Sequence, residues 1–243
     1  MTVARPYAEY FPYGVNLRVP NCGFAADIEL GQAFYVANFG APLALSASGL
    51  IAAVQMVNGS AVTVSTFVAD VGDATNIGYN GMVPYTSTTR RDGWGRNVSM
   101  IASTTNTRVA SVVGYDYLGQ RMQENITLTS ATTVQGLKAF AWIVSVSFAT
   151  AADTTTVNVG WGNRLGLPYA ANSMINETKN GFLAANGGTF VAALADATAA
   201  TATNADTKGT YLPVTVIPDG TNTFEIAMML RRGNLHGNAA YAV

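Results

Sequence analysis

Runs of β-branched and hydroxyl residues, cut by glycine, proline and aspartate turns, constrain this chain more than any other feature. Ala61 to Ala69 reads Ala-Val-Thr-Val-Ser-Thr-Phe-Val-Ala, an alternation with a period of two. That period sends successive side chains to opposite faces of a strand and has no helical counterpart. Val98 to Ser103 is a short apolar run. Arg108–Tyr115 and Gln123–Thr129 flank Asp116-Tyr117-Leu118-Gly119, which predicts a hairpin. Phe140–Phe148 has bulky residues at both parities, as a strand covered on two faces requires. Thr154–Val159 is rich in Thr and Val and is predicted to stop at Gly160-Trp161-Gly162. Leu212–Ile217 and Phe224–Leu230 are joined by the turn signal Pro218-Asp219-Gly220-Thr221. About eight to ten strands at this spacing predict an all-β chain, a jelly-roll-like β-sandwich.

Three regions depart from that pattern. Residues 1–31 contain Pro6, Pro12 and Pro20 among Tyr7, Tyr10, Phe11 and Tyr13. Prolines at this spacing prevent a long helix, so the segment reads as an extended N-terminal arm whose aromatics need cover. That cover is either its own body or a neighbouring subunit. Within the body, residues 32–230, the block 168–210 reads as a long insertion between strands. Its Ala-rich part, Gly181 to Thr203, holds Gly187-Gly188 and allows at most a short helix. Residues 231–243 form a polar tail.

Charge is scarce. Charged residues make up 11% of the chain against 49% hydrophobic, where about a quarter is usual. From Leu30 to Ala69 there is no Asp, Glu, Lys or Arg. Two readings stand: a surface largely covered by other protein, or one made polar by Thr, Asn and Gln. A formal net charge of −1 with no basic face argues against nucleic acid as a partner. Cys22 is the single cysteine, so an intrachain disulfide is excluded. The first residues do not follow the pattern of a secretion signal. Ala41–Val57 is apolar but interrupted by Ser46, Ser48 and Gln55, and reads as strands or core rather than as a membrane span. Synthesis in a reducing cytoplasm without membrane insertion is the expectation.

Chemistry has few footholds. His236, the one histidine, sits in the polar tail, where a surface or contact role is the default. Cys22 has no basic neighbour in sequence and reads as a small buried hydrophobe. Gly160 to Gly166 lacks the spacing of a dinucleotide-binding loop. The carboxylates Asp70, Asp73, Asp116, Glu124, Asp219 and Glu225 cluster at turns without a recognisable metal-binding loop. No catalytic residue, cofactor or metal site is predicted, and the chain reads as a non-enzyme. What remains are contact features: Tyr7, Tyr10, Phe11 and Tyr13 in the arm, and Arg90, Arg91, Trp94 and Arg96 in a Gly-flexed loop. Trp and Arg dominate interface hot spots. The alternative for the loop is a Trp folded back on the core.

One succession of motifs is more specific. Gly114-Tyr115-Asp116-Tyr117-Leu118-Gly119-Gln120 leads to Glu124-Asn125-Ile126-Thr127-Leu128 and Lys138-Ala139-Phe140. It continues through Ile143 and Val146 to Gly160-Trp161-Gly162-Asn163-Arg164-Leu165-Gly166-Leu167-Pro168. This succession, with the closing Arg232-Gly233-Asn234-Leu235-His236-Gly237, resembles small β-rich virion proteins of tailed bacteriophages. Within that group it is most similar to capsid decoration, or cement, proteins. The resemblance implies a homotrimer on the capsid surface that clamps neighbouring copies of the major capsid protein. A tail or head–tail connecting protein would use the same contact chemistry. A carbohydrate-binding β-sandwich is the alternative from another class.

Overall fold

The computed structural model describes residues 34–55, 61–63, 94–104, 107–116, 120–129, 131–148, 155–184, 187–193 and 208–230. These residues form strands β1 (Phe34–Gly40), β2 (Ser46–Gln55), β3 (Ala61–Thr63), β4 (Arg96–Ala102), β5 (Val109–Tyr115), β6 (Arg121–Thr127) and β7 (Val134–Phe140). They continue with β8 (Trp142–Phe148), β9 (Thr156–Gly166), β10 (Ala171–Lys179), β11 (Phe182–Leu183), β12 (Thr189–Ala192), β13 (Gly209–Leu212) and β14 (Phe224–Leu230). Among the described residues there is no helix, and every strand pairing is antiparallel. The chain is all-β, and its sheets pack as a sandwich.

Three sheets form. The first runs β1-β14-β10-β11, and the third runs β3-β8-β5-β6. The second runs β12-β13-β9-β4-β7, with β2 also paired to β9. Strand β9 organises the molecule. Its first half carries Val157, Val159 and Trp161 into a core that also holds Met100 of β4, Val112 of β5, Met122 of β6 and Phe148 of β8. Its end carries Leu165 into a second core with Phe39, Tyr211, Phe224, Ile226 and Met228. The second sheet thus closes one core against the third sheet and another against the first. Alternation does this in β14, where Phe224, Ile226, Met228 and Leu230 are buried and the residues between them are half-buried.

The hairpin predicted around Asp116 forms, with β5 and β6 in continuous register from Val109↔Thr127 to Tyr115↔Arg121. The Pro218–Thr221 turn forms too. Asp219 Oδ1 accepts the N–H groups of Thr221 at 2.8 Å and Asn222 at 2.7 Å. The strands on either side of that turn, β13 and β14, lie in different sheets, and the first of them ends at Leu212 rather than Ile217.

Other expectations change. β9 does not stop at Gly160-Trp161-Gly162 but runs through it. These glycines admit neighbours rather than turning the chain: a Cβ on Gly160 would overlap the Ser46 carbonyl. Phe140–Phe148 is two strands, since β7 ends at Phe140 and β8 begins at Trp142 in another sheet. In β8, Ile143, Val146 and Phe148 are buried while Val144 is exposed, so only one face is fully covered. The block 168–210 is not a loop insertion throughout. It contains β10, which pairs with β14 over Ala171–Lys179, as well as β11 and β12. The arm 1–31 and the tail 231–243, with Cys22 and His236, lie outside the described residues.

Candidate contact surface

Of the loop predicted to make contacts, Trp94 and Arg96 are described, and both turn toward the interior. Trp94 is half-buried against the second core, edge-on to Phe39 at 5.4 Å and to Tyr35 at 6.5 Å between ring centroids. Arg96 is 0% exposed, which corrects its assignment as an interface residue. Its Nε donates to the Gly162 carbonyl at 2.8 Å, and Nη1 donates to the Leu43 carbonyl at 3.0 Å. Nη2 also donates to Gly162 O. The physical reason is that β4 begins at Arg96, between Phe140 on one side and Leu165 on the other. Loss of water lowers its guanidinium well below the ordinary arginine range, to about 9. Tyr7, Tyr10, Phe11, Tyr13, Arg90 and Arg91 lie outside the described residues.

Other charges follow Arg96 inward. Among the described residues, eight charged side chains are buried: Arg96, Asp116, Glu124, Lys138, Arg164, Glu177, Lys179 and Lys208. Each one in which a contact is resolved serves the fold. Glu124 accepts the backbone N–H groups of Leu137 and Lys138. Arg164 Nη1 donates to Thr210 Oγ1 at 3.0 Å. Glu177 Oε1 meets Lys179 Nζ at 2.8 Å and also accepts the Tyr211 hydroxyl, while its Oε2 accepts the Gly188 N–H. Burial, then the hydrogen bond and the charge of Glu177, raise the Tyr211 hydroxyl above its ordinary range and keep it a donor. Asp219 is exposed, and its carboxylate is held below the usual range by the N–H groups of Asn222 and Thr221. Glu225 accepts from Asn38 Nδ2 at 3.2 Å. Asp70 and Asp73 lie outside the described residues, among which no group of His, Cys, Asp and Glu is placed to hold a metal.

With these charges inside, the outward face of the first sheet carries little charge and several exposed apolar side chains. Pairing sets its rows. Phe34 stands beside Met229 and Ser173, and Val36 beside Ala227 and Asn176. The next row is Asn38, Glu225, Thr178 and Leu183. Glu225 is the one charged side chain in those rows. Phe34, Val36, Ile175, Phe182 and Leu183 are 44%, 52%, 50%, 78% and 70% exposed. Ile175 sits at an irregularity in the β10–β14 register, which turns it out of the alternation. Five large apolar side chains on one sheet and its edge exceed the scatter that a soluble surface carries.

Sequence reasoning placed none of these five in an interface. The signal was present in Phe34-Tyr35-Val36-Ala37-Asn38-Phe39, where bulky residues occupy both parities. A strand with one wet face would alternate. A second candidate, a groove of about 290 Å³ between β6 and β7, is lined by Glu124, Gln135 and six neighbours with no aromatic ring among them. That is not the aromatic platform a sugar ring stacks on. No protein-family model, no curated protein and no solved structure matches this chain.

Proposed function

We propose that this protein is a virion structural protein of a tailed bacteriophage, made in the host cytoplasm, that decorates the capsid and bridges neighbouring capsid subunits. The observation that carries the proposal is the set of exposed apolar side chains on the first sheet, with Phe34, Val36, Ile175 and Leu183 on its outward face, Phe182 on its edge strand, and one charge in the outward rows. Support also comes from the composition, 11% charged, and from the resemblance of the residues between Gly114 and Pro168 to phage head proteins. Decoration needs no reaction. Summed contact area holds the capsid subunits together, and one oligomer with several weak contacts binds tightly through effective concentration. Binding that favours the closed shell stabilises it by mass action.

The test has two parts. First, purified protein is measured by light scattering at micromolar concentration, where a trimer mass is expected. The double substitution Phe182→Lys with Leu183→Lys touches little of the core, so folding stability is expected to hold within about 0.5 kcal/mol. Association of the variant is expected to weaken at least about tenfold, equivalent to about 1.4 kcal/mol. Second, protein lacking residues 1–20 is mixed with particles of the parent phage that have been stripped of it. Retained folding with lost trimerisation or attachment supports an arm that reaches a neighbour. Unchanged attachment moves the clamp to the loop containing Arg90 and Arg91 or to the sheet face. Full-length protein that stays monomeric and does not bind the particle defeats the proposal. Ring symmetry on the particle in place of threefold symmetry would favour a tail or head–tail connecting role instead.

A further inference from the structure

Lys208 and Asp116 are 92 positions apart and meet in the interior. Asp116 follows the last residue of β5, in the third sheet, and Lys208 leads into β13, in the second. The Lys208 Nζ lies against Asp116 Oδ2, and each side chain is 3% exposed. The carboxyl is fixed from both sides. Its Oδ1 accepts the Gln120 N–H at 2.9 Å, while the Asp116 N–H donates to the Gln120 carbonyl at 2.9 Å. The lysine is anchored as well, since its carbonyl accepts the Ala171 N–H at 3.0 Å.

This pair differs from the other buried pair with resolved contacts. Lys179 and Glu177 are two residues apart on one strand, so a bond between them would join no two sheets. In the Lys208–Asp116 pair, one carboxyl oxygen is held by a backbone donor and the other faces the amine. Burial penalises both charges of an ion pair, and moving one proton from Nζ to the carboxylate discharges both at once. Burial also brings the Lys208 ammonium down from 10.5 to about 7, so the neutral amine is within reach at ordinary pH. An amine and a carboxylic acid held in contact react as though at very high concentration, on the order of 10⁵–10⁸ M for well-oriented pairs. The Gln120 N–H is placed to stabilise the oxyanion that forms on Oδ1.

We infer that Lys208 Nζ and Asp116 Cγ condense to an intramolecular isopeptide bond that joins the second and third sheets covalently. The Nζ–Cγ bond forms and the Cγ–Oδ2 bond breaks. Oδ2 takes two protons from Nζ and departs as water, and Oδ1 remains as the amide oxygen. Nothing is oxidised or reduced, and no co-reactant enters. With Cys22 the single cysteine, no internal disulfide can supply such a cross-link. This inference does not depend on the proposed function.

Intact-mass spectrometry of the purified full-length chain tests it. The expected mass is about 18 Da below that of the sequence, the loss of one water. A protease digest is expected to yield one branched peptide containing both Asp116 and Lys208. Lys208→Arg keeps a cation that does not acylate, and is expected to restore the full mass. The wild-type measurement decides the matter even if that variant fails to fold. Full sequence mass in wild-type protein with a β-sheet circular dichroism spectrum overturns the inference and leaves an ion pair. A water loss that persists in Lys208→Arg places the chemistry elsewhere and overturns it equally.

Discussion

Replacing Glu177 with alanine is expected to destabilise the fold by about 3–5 kcal/mol, the cost of removing one partner of a buried charge pair. The carboxylate meets the Lys179 ammonium at 2.8 Å, with 7% and 2% of the two side chains exposed. It also accepts the hydroxyl of Tyr211, a residue 0% exposed and stacked on Phe39 at 5.9 Å between centroids. Through Gly188 it ties β10 to the approach of β12. Alanine would leave an ammonium and a phenol buried without their shared acceptor, and each such group carries a desolvation cost. Urea denaturation followed by circular dichroism measures the loss as a lower midpoint at unchanged slope. Adding Lys179→Met to Glu177→Ala is expected to recover part of it, because the stranded charge is then gone. A double variant that shows only the sum of the two single losses would mean that the pair is not coupled.

Trp161→Ala is expected to cost about 3–5 kcal/mol for a different reason, the cavity left in the first core. Trp161 is 2% exposed and lies midway along β9, paired with Val98 on β4 and Ser46 on β2. Its ring lies against Gly49, where a Cβ would overlap it. Its indole N–H donates to the Ala44 carbonyl at 2.8 Å. Trp161→Phe keeps most of the volume but leaves that carbonyl without its donor, an expected loss of about 1–3 kcal/mol. The same denaturation measurement ranks alanine below phenylalanine. Equal losses for the two would show that the hydrogen bond, and not the ring volume, carries the contribution. Either Glu177→Ala or Trp161→Ala removes a large share of the roughly 5–15 kcal/mol that holds a typical domain folded.

Local patterns were legible in the sequence because their causes are local. The alternation in Phe224–Leu230 depends only on the two-residue repeat of a strand, and the buried face follows it residue by residue. The hairpin at Asp116 and the turn at Asp219 depend on side chains that bond the backbone two to four positions away, and both form. All-β character and scarcity of charge were likewise readable from composition and period.

The tertiary structure decided what depends on distant neighbours. A glycine is the same letter whether it turns a chain or makes room for another strand. Only the approach of Ser46 to Gly160 shows that β9 continues. One partner of Phe224–Leu230 is β10, some fifty positions earlier, inside the block 168–210 that reads as a long insertion between strands. Arg96 looks like a contact residue beside Trp94, yet its acceptors are the carbonyls of Leu43 and Gly162, 53 and 66 positions away. The cluster of exposed apolar side chains on the outward face arises in the same way. Phe34 and Val36 join Ile175 and Leu183 on one surface only because β14 holds β1 and β10 on its two edges. Period and turn chemistry act over a few residues and are written in the chain. Strand partnership and the burial of charge are set by contacts across dozens or hundreds of positions, and exist only once the sheets have assembled.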